Sequence, residues 1–258
     1  MKLKDRVAIV TGAATGIGQA CAARLAAEGA RLVISDLNED AARSAAAGMA
    51  GDVVVIRSDA SDPAQMDALV DETVRQFGRL DVLVNNVGFS INGMLADVSN
   101  EVWDKIIAGN LSSVFYGTRA ALRHMVPAGR GSIINISSAS SQGGAYNMGP
   151  YSAAKAAVNN LTKTAAVEYA RTGVRVNCVA PGGGIETDAL VRWMETLPGG
   201  RPSFERMSVR GKFGLPEEIT AAVLFLASDE ASLINGAILP VDGGATARVP
   251  TVDLPKPA

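Results

Sequence analysis

Residues 7–18 read VAIVTGAATGIG, and this stretch decides the fold. Its first four residues are apolar, which is typical of a short strand covered on both faces. Gly12, Gly16 and Gly18 follow, and after them the pattern becomes helical. Glycines at such a turn let the backbone come close to a phosphate, and the free N–H groups at the start of the next helix attract an anion. The stretch therefore predicts a strand, a phosphate-binding turn and a helix.

The same alternation continues outward along the chain. Six more short apolar runs alternate with helical stretches, at residues 31–36, 52–56, 80–84, 132–136, 174–179 and 237–241. The clearest helix begins at Asp62-Pro63, an N-cap followed by proline at the first helical position, and ends at Gly78. Such alternation predicts an α/β fold: a single-domain, Rossmann-type, doubly wound parallel sheet of about seven strands flanked by helices. We expect this domain to span residues 1–248, with a proline-rich, non-helical tail at 249–258.

Composition and charge exclude several classes of protein. The 258 residues include 24 Lys and Arg against 26 Asp and Glu, so the sequence lacks the basic excess typical of nucleic-acid binders. Cys21 and Cys178 stand far apart and make no metal-binding or redox spacing, which indicates buried thiols. No ligand cluster suggests a catalytic metal, and no apolar run is long enough for a signal peptide or a membrane span. We expect a cytoplasmic protein that takes a small molecule, with neither nucleic acid nor membrane as partner.

The second apolar run ends in an acid, Asp36, eighteen residues after Gly18. A carboxylate in this place accepts hydrogen bonds from the ribose hydroxyls of a dinucleotide and repels a 2′-phosphate. At ~4 Å and an effective dielectric constant near 20, that repulsion is about 4 kcal/mol before solvent screening. Asp36 therefore predicts NAD rather than NADP as cofactor. The alternative is that Asp36 only caps the next helix, which begins near Asn38.

A second motif lies at the start of a long helical segment. Tyr151 and Lys155 are four residues apart, so the phenol and the ammonium share one helix face. A tyrosine pKa of about 10 is too high for a base at neutral pH, and a neighbouring positive charge lowers it. Ser138 stands thirteen residues before Tyr151, just past a predicted strand end, where ligands collect in open α/β sheets. Together these residues predict proton transfer at the oxygen of an alcohol or a carbonyl group.

With these motifs in place, the chain resembles the short-chain dehydrogenase/reductase family over residues 3–246. Its landmarks follow the family's order and spacing: the Thr-Gly-x-x-x-Gly-x-Gly turn at 11–18, Asp36, Asp59, Asn85-Asn86-Val87-Gly88, Asn110, Ser138, Tyr151, Lys155, Pro181-Gly182 and Asp242-Gly243-Gly244. Each landmark alone is weak, and together they are specific.

The resemblance implies four catalytic residues. Tyr151 would be the general acid/base, Ser138 would orient the substrate oxygen, and Lys155 would depress the tyrosine pKa and bind the nicotinamide ribose. Asn110 would hold a water that links Lys155 to solvent as a proton path.

The resemblance also implies a cofactor site along the carboxyl ends of the strands. Asp36 would bind the adenosine ribose, Asp59 the adenine amine, Asn86 the neighbouring ribose and Thr187 the nicotinamide carboxamide. The complete implied set is Gly12, Thr15, Gly16, Ile17, Gly18, Asp36, Leu37, Asp59, Ala60, Asn86, Val87, Gly88, Tyr151, Lys155, Pro181, Gly182, Gly184, Ile185 and Thr187.

Two positions depart from the family's pattern. Val87 stands where the family usually has alanine, and it adds bulk beside the cofactor. The loop Pro181 to Thr187 is one residue longer than the family's Pro-Gly-x-Ile-x-Thr, and its additional glycine adds flexibility and alters the wall next to the reacting carbon.

Substrate identity is less constrained by the sequence. A lid is expected at about 188–213, and it contains apolar residues that either wall a pocket or pack the lid onto the body: Leu190, Trp193, Met194, Leu197, Phe204 and Met207. Four arginines in the same segment, at 192, 201, 206 and 210, either receive an acidic substrate or are simply exposed. His124, the only histidine, is expected to be structural.

Three hypotheses for function follow. The first is an NAD-dependent dehydrogenase or ketoreductase that acts on a small, cyclic or apolar secondary alcohol or ketone. The second is a reductase of 3-oxoacyl thioesters, which Asp36 disfavours because such reductases usually prefer NADPH. The third is an NAD-binding sensor without catalysis, which the four catalytic residues argue against. Helical stretches 112–126 and 153–170 have apolar or small residues on more than one face, and by the family's pattern this predicts a homotetramer.

Overall fold

The structure is a computed structural model that describes residues 1–182, 184–196 and 199–248. The predicted tail at 249–258 lies outside the described residues, as do Gly183 and Leu197 and the side chains of Phe204, Arg206 and Met207. The described residues form a seven-stranded parallel sheet in the order β3-β2-β1-β4-β5-β6-β7. Its strands are β1 (Val7–Thr11), β2 (Arg31–Asp36), β3 (Val53–Arg57), β4 (Val82–Asn85), β5 (Gly131–Ile136), β6 (Val174–Pro181) and β7 (Ile238–Val241). The predicted fold class is confirmed.

Helices cover both faces of this sheet, because the strands are apolar on both sides. They are α1 (Gly16–Ala27), α2 (Glu39–Ala46), α3 (Pro63–Phe77), α4 (Asn100–Ile107), α5 (Ser113–Met125), α6 (Gly149–Glu168), α7 (Asp188–Glu195), α8 (Gly200–Met207) and α9 (Pro216–Ala227). One core layer packs α1 and α9 against the sheet, and the second packs α3, α5 and α6 against the opposite face. Alternate residues of β1 point into opposite layers: Ala8 and Val10 lie in the first and Ile9 in the second.

Helix α3 shows how local sequence sets these elements. The Asp62 side chain accepts from the N–H groups of Ala64 and Gln65, Pro63 opens the helix, and Gly78 ends it with a left-handed φ of 74°. The helix buries a stripe at helical spacing that includes Met66 and Leu69, and each fully buried side chain of this size contributes roughly 1.5–3 kcal/mol. His124 of α5 places its Nε2 2.7 Å from Asp71 Oδ1 of α3, so it joins two helices, as expected for a structural residue.

The strand order reverses between β1 and β4. From β1 the chain moves outward to β2 and β3, and then returns to place β4 on the other side of β1. Such a switch point leaves a crevice at the carboxyl ends of the strands, which is where open α/β sheets bind their ligands. The loops after β1, β4 and β5 all open at this edge, and they hold Gly12, Asn86 and Ser138 of the predicted site.

Two other kinds of feature are absent from the described part of the chain. None of the helices described is long and apolar enough to cross a membrane. Within the same residues, no group of three or more His, Cys, Asp or Glu side chains is arranged to hold a metal ion.

Candidate active site

The turn between β1 and α1 is built from glycines for a steric reason. Gly12 and Gly16 have φ values of +62° and +58°, in the left-handed region that other residues rarely adopt. A Cβ on Gly18 would lie 2.1 Å from the Gly12 carbonyl oxygen and 2.4 Å from Asn86 Nδ2. Since real Cβ atoms do not come this close to backbone, α1 reaches its position against the turn only with glycine at residue 18.

The start of α1 fits an anionic group. The helix begins at Gly16, and its N-cap residue Thr15 makes no capping hydrogen bond through its side chain. The N–H groups of the first turn are therefore available to a ligand, and the positive end of the helix dipole lies beside them. Ile17 packs against the core layer of α1 and α9, which leaves the backbone of the turn facing the crevice. These features fit the pyrophosphate of a dinucleotide.

Asp36 ends β2 next to this turn. Its carboxylate accepts from the N–H of Ala14 at 3.1 Å and from the N–H of Asn38 at 3.0 Å. The cap of α2 is Asn38, whose Oδ1 accepts from Ala41, so the alternative that Asp36 serves only as a helix cap is wrong. Asp36 and the exposed Leu37 line a depression of about 690 Å³ that also includes Arg57.

The residues after β3 and β4 lie along the same edge. Asp59 accepts from both the N–H and the hydroxyl of Ser61, and Ala60 is buried. Asn86 Nδ2 donates to the carbonyl oxygens of Thr11 and Gly12 at 3.1 and 2.9 Å, so this side chain braces the glycine turn. Sequence reasoning missed this structural task, and the spacing of Asn86 from the turn offered no signal for it.

Val87 comes close to the glycine turn. Its Cγ2 lies 3.0 Å from the place where a Cβ on Gly12 would stand. Valine is larger than the alanine that the family usually has at this position, and its additional methyl groups pack under the glycine turn.

The catalytic candidates meet at the carboxyl end of β5. Tyr151 and Lys155 stand on the first turns of α6, with Lys155 Nζ 5.7 Å from the centre of the tyrosine ring. Lys155 is only 1% exposed, and its Nζ donates to the carbonyl oxygen of Ile136 at 2.9 Å. Ser138 follows β5 directly, and its Oγ accepts from the N–H of Ser140 at 3.2 Å. The Ser138 side chain lies close enough to the Tyr151 phenol to act on its pKa.

Burial sets the ionisation of this group of residues. Burial raises the pKa of Tyr151, while the hydrogen bond with Ser138 acts in the opposite direction. Burial also lowers the pKa of Lys155 to about 8, and the neighbouring Cys178 opposes that shift. Desolvation disfavours the charged form of each group, so both residues are neutralised more easily than in water. A lysine with a pKa near the working pH can take up and release a proton during turnover.

Asn110 lies in a π-helical turn, Ala108–Ser112, between α4 and α5. Its Nδ2 donates to the carbonyl oxygens of Ile106 and Phe89 at 3.0 and 2.9 Å, and its Oδ1 accepts from the N–H of Phe89. A Cβ on Gly88 would lie 2.9 Å from Lys155 Nζ and 3.0 Å from Asn110 Oδ1. Both polar atoms therefore lie on the same side of Gly88, where a side chain would collide with them. Sequence periodicity offers no sign of the π-helical turn, which inserts one residue into a helical pattern.

The long loop after β6 still reaches the glycine turn. Pro181 ends the strand. Gly182 packs so closely against Ala139 that a Cβ on Gly182 would lie 2.4 Å from Ala139 Cβ. Gly184 adopts a φ of +75° and accepts from the N–H of Gly214, and Ile185 pairs with Gly214 in a parallel bridge. Thr187 caps α7, and its Cγ2 lies 3.2 Å from the place of a Cβ on Gly16.

Helices α7 and α8 occupy the predicted lid. Met194 and Phe213 are buried, so these apolar residues pack the lid onto the body. Arg201 binds both carboxylate oxygens of Glu186, at 2.7 and 2.8 Å, and Arg210 lies 2.8 Å from Glu218. Both arginines are therefore engaged within the protein, which weakens the alternative that they receive an acidic substrate.

Comparison with known proteins agrees with this geometry. The short-chain dehydrogenase model described as enoyl-(acyl carrier protein) reductase matches residues 12–246. A cis-4-hydroxycyclohexanecarboxylate dehydrogenase of Sinomonas cyclohexanicum is 44% identical over 252 residues, which cover 94% of this chain and 97% of the relative. A 3-oxoacyl-[acyl-carrier-protein] reductase of Thermotoga maritima is 38% identical over 95% of this chain and 99% of its own length.

A solved structure is also similar to this chain. The crystal structure of levodione reductase superposes with a TM-score of 0.91 at 34% identity, and the match covers 96% of this chain and all of the other. Members of this family use a nicotinamide cofactor, NAD or NADP. The chain therefore belongs to the short-chain dehydrogenase/reductase family of oxidoreductases.

Proposed function

We propose that this protein moves a hydride between NAD(H) and the CH–OH or C=O group of a small cyclic secondary alcohol or ketone. The observation that carries the proposal is the group of Tyr151, Ser138 and Lys155. The Tyr151 phenol lies near Ser138 and beside the buried Lys155, and it stands at the same sheet edge as the glycine turn. A phenol held in this way suits proton exchange with a substrate oxygen.

The mechanism follows from these contacts. In the oxidation direction the substrate hydroxyl binds between Ser138 Oγ and the Tyr151 oxygen, and Tyr151 takes the hydroxyl proton. A bound nicotinamide would supply the hydride acceptor for the carbon that carries this hydroxyl group. The Lys155 ammonium stabilises the Tyr151 phenolate, which counteracts the effect of burial on the tyrosine pKa. Asn110 Oδ1 lies beside Lys155 Nζ, next to Gly88, and it provides the next polar group of a proton path to solvent.

NAD is the cofactor that Asp36 favours. Two backbone N–H groups hold the carboxylate in one orientation, so the charge stays at the ribose position. Arg57 lines the same depression, and β2 and β3 pair so that Arg57 is the register partner of Asp36. This arginine partly offsets the repulsion of a 2′-phosphate, so we expect a preference for NAD rather than exclusion of NADP.

Two loops support a cyclic, largely apolar substrate. The loops after β4 and β5 are joined by a parallel bridge between Gly93 and Met148 and by a hydrogen bond from the N–H of Gly93 to the carbonyl of Asn147. Phe89 and Tyr146 of these loops are exposed. The similar dehydrogenase from Sinomonas cyclohexanicum is named for a hydroxylated cyclohexane ring. The proposed catalytic domain spans residues 1–248 and includes a substrate lid at about 188–213.

Reduction of 3-oxoacyl thioesters is the second candidate. The likeness to the Thermotoga maritima reductase favours it, and Asp36 opposes it as long as NADPH is the reductant. A sensor without catalysis has no use for the buried Lys155, whose desolvation is costly unless it serves the chemistry.

The test is formation of NADH with a panel of cyclic alcohols, cyclic diols, polyols, hydroxysteroids and 3-hydroxyacyl thioesters, each repeated with NADP. A strong signal with one cyclic class and NAD supports the proposal. A preference for thioesters with NADP supports the second candidate. If the protein binds NAD but turns over none of these compounds, and Tyr151→Phe leaves NAD binding unchanged, the sensor hypothesis is supported.

We also propose a cytoplasmic homotetramer. Helices α5 and α6 line a groove of about 460 Å³ that includes Leu122, Leu161 and Tyr169, and Phe115 is 43% exposed at its edge. Such apolar faces suit a second copy of the chain. Light scattering checks this, and a stable monomer at micromolar concentration contradicts it.

A further inference from the structure

Helix α6 holds a third polar residue in line with the two catalytic candidates. Tyr151, Lys155 and Asn159 are successive i, i+4 positions, so all three share one face of the helix. Asn159 is half-buried, and the mechanism above does not use it. Its neighbour Asn160 is the same residue type on the exposed side of the same helix.

The Asn159 amide connects α6 to the loop that holds Ser138. Its Nδ2 donates to Ser141 Oγ at 2.8 Å, and Ser141 Oγ in turn donates to the Ser138 carbonyl oxygen. The N–H of Ser141 also donates to that carbonyl, at 3.0 Å. On its other side, Asn159 Oδ1 accepts from the Cys178 thiol of β6 at 3.5 Å. The Ser141 hydroxyl already donates its proton to the Ser138 carbonyl oxygen, so toward Asn159 it can only accept a hydrogen bond. The Asn159 amide therefore presents its NH₂ group, and not its oxygen, to Ser141.

This connection matters because Ser138 and Tyr151 belong to different elements. Lys155 Nζ and the Lys155 carbonyl oxygen tie α6 to Ile136 and Ser137. Beyond Ser137 the loop leaves the strand, and Ser141 is the point where a side chain of α6 holds it again. The position of Ser138 beside the Tyr151 phenol depends on the loop staying in this place.

We infer that Asn159 is a positioning residue that, through Ser141, holds Ser138 against the Tyr151 phenol. The inference rests on the proposed function, in which Ser138 orients the substrate oxygen. Two effects follow from it. Removal of the Asn159 amide lets Ser138 drift, which lowers kcat. It also weakens the hydrogen bond that keeps down the pKa of Tyr151, so that pKa rises.

The experiment compares Asn159→Leu with Asn160→Leu, two changes of similar size on neighbouring positions of α6. The pKa of Tyr151 is measured from phenolate difference absorbance, with Tyr151→Phe as the blank for the other tyrosines. Turnover is measured with NAD and cyclohexanol as the probe alcohol. We expect Asn159→Leu to lower kcat about tenfold or more, because small displacements at a reacting centre have effects of this size. The Kd for NADH should change by less than about threefold, and the pKa of Tyr151 should rise by about 0.5–1 unit.

Ser141→Ala provides the second arm, since it removes the connecting hydroxyl without touching α6. It should reproduce the change in the pKa of Tyr151. The double variant with Asn159→Leu and Ser141→Ala should change kcat and this pKa no more than either single variant, because both substitutions act through the same hydrogen-bonded path. Asn160→Leu should leave both quantities unchanged.

The outcomes separate this inference from the proposed function. If Asn159→Leu and Ser141→Ala leave the pKa of Tyr151 and kcat at wild-type values while Tyr151→Phe is inactive, the positioning role is overturned and the proposed function stands. If Tyr151→Phe keeps full turnover, the proposed function itself fails. If Asn159→Leu does not fold, Ser141→Ala decides through the same two measurements.

Discussion

The glycine turn at 12–18 and the catalytic face of α6 lie at the same sheet edge, yet different forces shape them. The turn is made of backbone, and sterics fix it: a Cβ at residue 18 would stand 2.1 Å from a carbonyl oxygen. The face of α6 is made of side chains, and desolvation tunes it: Lys155 is buried with a pKa of about 8. The comparison teaches that the first region tolerates almost no added volume, whereas the second is sensitive to charge and hydrogen bonding.

The largest expected effect concerns the catalytic face alone. Tyr151→Phe removes the proton carrier and keeps the ring, so kcat should fall about 10²–10⁴-fold. The Kd for NADH, measured by fluorescence titration, should stay within about threefold, because the turn that binds the cofactor is untouched. Tyr169→Phe is the matched control. Retention of more than a tenth of wild-type kcat in Tyr151→Phe contradicts the assignment of Tyr151 as the acid/base.

The second-largest effect is expected from a substitution that disrupts the glycine turn and leaves the catalytic face of α6 intact. Gly18→Ala places a methyl group against the Gly12 carbonyl and Asn86, so the turn must open. We expect the Kd for NADH to rise about 100-fold, as is typical when closely fitted backbone donors lose their geometry. Gly48→Ala is the control, since its nearest atom would be 3.9 Å away. Unchanged NADH binding in Gly18→Ala would show that the turn does not hold the cofactor.

A smaller effect is expected at the ribose position, where the charge of Asp36 acts on the cofactor. Asp36→Ser removes the carboxylate from the depression that holds Arg57. The ratio of kcat/KM with NADP to that with NAD should rise about tenfold or more, since a screened repulsion of about 1–4 kcal/mol is lost. Adding Arg57→Gln should remove part of the gain. Asp52→Ser, on an exposed ion pair with Arg31, serves as the control, and an unchanged ratio in Asp36→Ser refutes the role of Asp36.

The smallest effect measures what burial of the lysine costs the fold. Lys155 has a pKa of about 8 against an ordinary value of 10.5, so the unfolded chain binds more protons between these values and stability rises with pH across this window. Below pH 8 the full penalty of about 3 kcal/mol applies. Lys155→Met removes it but leaves the Ile136 carbonyl without its donor, so the net gain at pH 7 should be about 1 kcal/mol.

Urea unfolding of the cofactor-free protein at pH 7 and at pH 10 measures this difference. The advantage of Lys155→Met should shrink at the higher pH, while Lys163→Met, an exposed lysine on the same helix, should show no such trend. If Lys155→Met is less stable than wild type at pH 7, desolvation of the amine is not the dominant contribution.

Most of the strand pattern was predictable because apolar runs bounded by turns have a local cause. Strand β2 was predicted at its observed bounds, and the other six were within two residues at each end. The π-helical turn at Asn110 and the bracing role of Asn86 were not predictable, since both depend on which backbone groups the fold brings near these amides. The position of Thr187 next to Gly16 also needed the structure, because the loop after β6 is one residue longer than the family's pattern.

The sequence by itself determined the alternating α/β order, the glycine turn, the acid that ends β2 and the shared helix face of Tyr151 and Lys155. These features depend on local periodicity and on residue types at short spacing. Only the tertiary structure decided that Lys155 is sealed from water, that Ser138 meets Tyr151, and that Asn159 reaches Ser141. Burial and hydrogen bonding between distant segments arise from packing, and packing is a property of the folded chain as a whole.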